Sequence, residues 1–278
     1  AEPLADGWAA VSFLWRAATL TREMWLFDRQ TMEPQIASPP YVRALEQLIA
    51  ARKTYPEDRL TPQQIWQRLT DGRLKLAISW PTVEVNSEST TDQGQAMAAL
   101  SLAAYPRAEQ VYLSGWTASD GQPLPPMLAP NGLSAGIATS CRQTQVARAF
   151  INWLATEDGH AALRGVDNRV LPNRVQRLVE EEDAGMELLS GVSADPNYAA
   201  YDDYLSEILG QPVVRPSFRI PGGARYLEAL DQEILAALAG QKNAQQALRD
   251  AAKQWDSITT DLDRRTQVNA WRQSQGMR

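Results

Sequence analysis

The sequence is poorest in metal-binding and redox-active side chains: it holds one cysteine, Cys141, and one histidine, His160. A lone cysteine cannot close an intramolecular disulfide. One Cys with one His could form a zinc site only with the help of several carboxylates, which nearly excludes zinc chemistry. Cysteine poverty does not separate an oxidising compartment from a reducing one. No run of about twenty apolar residues occurs, so no segment is long enough to span a bilayer as a helix. Basic residues are outnumbered, 27 Lys and Arg against 33 Asp and Glu, and the resulting charge of −6 repels phosphate backbones and anionic lipid surfaces. Nucleic acid is therefore not an expected partner. Ala1 to Asp6 lack the basic and apolar regions of a secretory signal, as the mature form of an exported protein also would. No internal repeat or low-complexity tract interrupts the chain.

With 278 residues, 44% of them hydrophobic, the chain can bury a large core, and its length favours two lobes with a cleft over one compact body. The segment from Gly7 to Thr21 sets Trp8, Val11, Phe13, Leu14 and Trp15 among alanines, which predicts a helix buried on more than one side. Ser38-Pro39-Pro40 opens a second helix with a capping hydroxyl and proline in the first turn. Thr61-Pro62-Gln63-Gln64 carries a capping-box signature, and Asp71-Gly72 stops the helix it begins. A short strand is expected over Leu74 to Ile78, ending at Ser79-Trp80-Pro81. A crossing region with one helix at Gln93 to Tyr105 follows. Leu133 to Ala138 reads as a strand of small residues, and Val146, Ala147, Phe150, Ile151 and Leu154 form the stripe of the helix after it. Further helices are expected at Glu157 to Leu163, around Tyr198 to Leu205, and over Leu227 to Leu238 and Leu248 to Ile258, the last two separated by Gly240.

The order of these pieces resembles the extracellular solute-binding proteins of family one, the maltose-binding-protein-like components of ABC importers. Thr61 to Pro81 looks like that family's helix, glycine turn and strand ending in a ligand-facing tryptophan. Asn131 to Ala138 with Val146 to Gly159 looks like its later strand and helix, followed by threonine, two acids and glycine. Val170-Leu171-Pro172-Asn173-Arg174 and the ending from Ala236 to Leu248 resemble its proline-plus-basic segment and final helix pair.

The resemblance implies an α/β, periplasmic-binding-protein-like (type II) fold, helix-rich, with two lobes joined by discontinuous crossings. The first lobe is expected to be incomplete, because the family's initial βαβ units have no counterpart here. Residues 1–86 correspond to the first segment of the second lobe, 87–167 to a return through the first lobe, and 168–278 to the closing segment of the second lobe with the C-terminal helices. The implied function is binding of a small-molecule solute, a mono- or oligosaccharide, by lobe closure, with ABC permease subunits as partners. The protein is then a monomer without catalysis or cofactor, located in the periplasm or outside the cell, and the full-length form could carry a lipid anchor. A sensor or scaffold module that has lost transport, and a glycan-active enzyme, are the alternatives.

Sugars show an apolar C–H face ringed by hydroxyls and are met by flat aromatic rings with planar hydrogen-bonding groups at their edges. By resemblance, Trp8, Trp80 and Arg225-Tyr226 fall where the family brings such groups to its ligand, and Trp116 lies in loop surroundings in Ser114-Gly115-Trp116-Thr117. The competing reading places these aromatics in the core. Trp15, Trp66, Trp153 and Trp255 sit on apolar helical faces and are assigned to the core. Asp202 and Asp203 point about 100° apart on a helix and are poor partners for one bond. Glu180 to Asp183 reads as a solvated face, His160 as a surface residue, and Cys141 as buried and inert. Pro221-Gly222-Gly223 could meet an anion at the following helix, but it lacks the longer glycine pattern and lysine of a nucleotide loop.

Overall fold

The computed structural model describes residues 1–20, 26–78, 137–138, 140–154, 156 and 219–277. The chain divides into two compact units, one made of Ala1–Trp80, Tyr105–Pro130 and Val213–Arg278, the other of Pro81–Ala104 and Asn131–Pro212. The described residues are helix-rich and include seven helices: α1 (Trp8–Ala18), α2 (Pro39–Arg52), α3 (Pro62–Thr70), α4 (Thr144–Leu154), α5 (Gly223–Leu238), α6 (Ala244–Asp261) and α7 (Arg264–Ser274). Among them there is no strand, only an antiparallel bridge between Phe27 and Pro34.

In the first unit α1 packs on α2 and α5, and α5 packs on α6. Ala9, Ala10, Ala17 and Ala18 of α1 are all buried. Side chains this small let neighbouring helices come close while costing no rotamer entropy. Phe13, Leu14, Leu45, Leu48, Leu230, Ile234, Leu248 and Trp255 complete a single core that both chain ends share. The first residues are tied into it. Leu4 N donates to Leu60 O at 2.9 Å, and Glu2, itself buried, accepts from both Arg16 and the Tyr55 hydroxyl.

The helix starts follow the sequence with one exception. Thr61 and Gln64 form the complete capping box, each side chain bonded to the other residue's backbone N–H, at 3.3 and 2.9 Å. Ser38 precedes α2 as expected, but its hydroxyl makes no capping bond. Pro40, at the second helical position, carries no N–H, so one of the two donors a capping side chain would serve does not exist, and the Ser38 carbonyl takes Tyr41 N and Val42 N. The stop at Asp71-Gly72 stands, with Gly72 at φ 71°.

The expected strand after that stop is not formed over Leu74 to Ile78. Ala1 N donates to Leu76 O and Ile78 N to Ala1 O, both at 2.8 Å, and Leu76 is 81% exposed. One residue is too short a partner to carry a ladder, and of the two leucines Leu74 is half-buried while Leu76 stands in solvent.

A loop over residues 26–37 plugs the core. Asp28 Oδ1 accepts from Gln30 N, Thr31 N and Thr31 Oγ1 at 2.8 to 3.0 Å, which closes the turn and holds its carboxyl below the usual range. On either side Phe27, Met32 and Ile36 are wholly buried. Phe27 stacks on Trp255 at 5.0 Å and meets Tyr226 and Trp271 edge-on at 5.4 Å each.

The C-terminal helices run as the stripes predict, with Gly240 at φ 73° ending α5. Their polar faces are clamped at the turn. Lys242 Nζ meets Glu233 at 2.5 Å and Asp250 at 2.9 Å, and the Gln246 amide and Lys242 hold the Asp250 carboxyl down at about 2. Helix α7 is an addition to the two expected; Asp263 caps it by accepting Thr266 N at 3.1 Å. At the start of α5, Gly222 has φ 72°, and a Cβ there would stand 2.4 Å from Leu262 Cδ1. That glycine serves helix–helix approach.

Helix α4, in the second unit, forms where the stripe predicts. Its Val146, Phe150 and Trp153 are 63%, 56% and 41% exposed, with Phe150 and Trp153 stacked at 5.9 Å. Trp153 is therefore not the core residue its position suggests. Cys141 is half-buried, not buried. The expected helices at 93–105, 157–163 and 198–205, the strand residues 133–136, the segments 170–174 and 180–183, His160, and Asp202 with Asp203 lie outside the described residues.

Candidate functional site

Three of the five expected ligand-facing residues fall within the described residues, all on the first turns of α1 and α5. Trp8 opens α1 directly after Asp6 and Gly7, which have φ 55° and 85°. It is half-buried, and its ring lies 6.0 Å from that of Trp15, one heptad on and also half-buried. Half-burial holds an indole in place while leaving part of it in reach of solvent.

The geometry of that first turn depends on a distant residue. Gly7 has no side chain to cap α1, and Asp231 of α5 supplies the acceptor, its Oδ1 taking Ala10 N at 2.9 Å with Ala9 N as a further donor. Burial raises the Asp231 carboxyl above its ordinary value, against the two backbone hydrogen bonds and the Arg59 charge, which lower it. The helix start is thus filled from within the protein. The readable signal for Asp231 is an acid on the apolar face of α5, beside Leu230 and three residues before Ile234.

Arg225 is exposed, and its Nη2 reaches Asp261 at 3.2 Å in a solvent-screened pair. Tyr226, the next residue, turns inward and is fully buried. Its hydroxyl pairs with Thr259 Oγ1 at 3.0 Å, its carbonyl accepts Trp255 Nε1–H at 2.7 Å, and burial raises its phenol above the ordinary range. The Tyr226 ring packs as a core ring, with Phe27 and Trp255 edge-on to it. Trp80 and Trp116 lie outside the described residues. Of the tryptophans assigned to the core, Trp66 and Trp255 are buried.

Packing of α1 on α5 places the first turns that carry Trp8 and Arg225 on two neighbouring helices. The first turn of α1 thus offers a half-buried apolar ring and that of α5 a planar, exposed guanidinium paired with Asp261, each a group that can meet a hydroxylated molecule. Among the described residues no group of three or more His, Cys, Asp or Glu is placed to hold a metal ion, and no helix is long and apolar enough to cross a membrane. No protein-family model matches the chain, and no curated protein matches it.

Proposed function

We propose that the protein is a solute-binding component of an ABC importer with a type II binding-protein fold, that its solute is a carbohydrate, and that it catalyses no reaction. The observation that carries the reading is Trp8: a half-buried indole at the start of a largely buried helix whose first-turn N–H groups at Ala9 and Ala10 are held by Asp231. Two further features support it. The chain passes between its two compact units at 80/81, 104/105, 130/131 and 212/213, the discontinuous organisation such a protein needs. The capping box, glycine stop and C-terminal helix pair that carry the sequence resemblance form as helices and turns. Trp8 and Trp80 are the aromatic platforms in this reading, with Arg225 as a polar contact.

Calorimetry and glycan arrays with the full chain test it. Saccharide binding should be detected, and Trp8→Ala should weaken it by about 1–3 kcal/mol, the worth of one aromatic platform under a flat ligand, with little change in melting temperature. Absence of binding to any saccharide, or glycan hydrolysis by the purified protein, would overturn the reading.

A further inference from the structure

Helix α7 covers the aromatic core with Trp271, which meets Phe27 edge-on, and it buries Gln267 one helical turn earlier. Positions four apart lie on the same helix face, with side chains about 5–6 Å apart at their Cβ atoms. Gln267 is 0% exposed and Trp271 4% exposed. The carboxamide Nε2 and Oε1 of Gln267 and the indole Nε1 of Trp271 are all buried, and none has a hydrogen-bond partner among the described residues. Other buried polar groups of the same unit are paired. Trp255 donates to Tyr226 O, Thr259 accepts and donates within its own cluster, and Ser12 donates to Pro3 O.

Burying a carboxamide without partners is costly in free energy, and buried polar atoms in folded proteins are nearly always paired with protein or with ordered water. We propose that Gln267 and Trp271 form an internal hydration site between α7 and the core. Water fits the chemistry because the indole can only donate, whereas the carboxamide both donates and accepts. A water oxygen takes the indole N–H while the same molecule donates to the Gln267 carbonyl. The remaining Nε2–H donors extend the site to a second water. Two to four polar partners are what such a molecule requires. In this arrangement Gln267 is an anchor for solvent on the inner face of the last helix, which explains an amide in a position where the α7 pattern would otherwise call for an apolar residue.

The test uses the full chain, deuterated and 15N-labelled, with water-selective NOE and ROE spectra. Cross-peaks from water to Trp271 Nε1–H and Gln267 Nε2–H₂ are expected, opposite in sign between the two experiments, as for water resident longer than about a nanosecond. Peaks of equal sign report proton exchange alone and would overturn the proposal, as would dry indole and amide protons. In parallel, oxygen-17 relaxation dispersion should show fewer long-resident waters for Gln267→Leu than for the wild type. An unchanged amplitude in the folded variant would also overturn the site, and if the variant does not fold the wild-type spectra decide. No saccharide enters either measurement, so the outcome is independent of the carbohydrate reading.

Discussion

Helices α1 and α4 each have eleven residues, no acid in the first turn, and one phenylalanine, accompanied by two tryptophans in α1 and one in α4. In α1, Phe13 is wholly buried and lies 6.3 Å from the Tyr41 ring. In α4, Phe150 is 56% exposed. The periodicity of a stripe fixes which residues share a helical face; whether that face is covered depends on what other elements bring to it. For α1 the cover comes from α2 and α5, and its many alanines allow both to approach.

Matched truncations should expose that difference. Phe13→Ala removes a ring from the centre of the core and should cost about 3–5 kcal/mol, read from urea denaturation. If the loss is under about 1 kcal/mol, the core drawn around α1 is wrong.

Next in size is the support α1 draws from Asp231. Asp231→Ala leaves two helix-start N–H groups without their acceptor and should cost about 1–3 kcal/mol. The pH dependence has a definite sign. Burial raises the folded-state carboxyl, so between the unfolded and folded values the native state holds more protons, and stability falls as pH rises through that window. Measured against Asp231→Asn, the wild type should therefore be relatively most stable below the ordinary carboxylate range and lose that advantage as pH climbs. The opposite slope would mean that the hydrogen bonds from Ala9 and Ala10 outweigh burial.

Helix α3 provides the local counterpart. Its cap comes from its own sequence, so Thr61→Ala should cost about 1 kcal/mol with no pH dependence, checked by thermal melting. The smallest effect is expected where the comparison began: Phe150→Ala should change stability by no more than about 0.5 kcal/mol. A loss like that of Phe13→Ala would show that α4 is covered in solution.

How far the sequence could be read follows the same division between local and distant causes. The capping box of α3, the glycine stops at 72 and 240, and the stripes of α5 and α6 depend on residues a few positions apart, and they are found where the sequence puts them. The strand over 74–78 is not formed because a strand needs a partner strand, and among the described residues that stretch meets only Ala1 and the end of α3, where Leu74 N donates to Arg68 O. Helix α7 is barely legible because its stripe is thin, Val268 and Trp271 among polar residues, although Asp263 three positions before Thr266 is a readable cap. For the site, chemistry marked Trp8, Arg225 and Tyr226 equally. Only packing separates the half-buried indole from the buried phenol, since one step along a helix turns a side chain by about 100°. Asp231 was written as an acid within an apolar face, but the helix start it serves lies 221 residues away.

The way Phe27 is enclosed bears on how the chain is made. Its ring neighbours, Tyr226, Trp255 and Trp271, are 199 to 244 positions downstream, and the faces of α1 and α2 close largely on α5 and α6. During synthesis these first helices leave the ribosome long before their complement exists, at roughly 5–20 residues per second. For that interval their leucines, alanines and phenylalanines are sticky surface. Closing so long a loop also slows the final docking step. Nascent chains of this protein should thus depend on holding chaperones until the last helices are released.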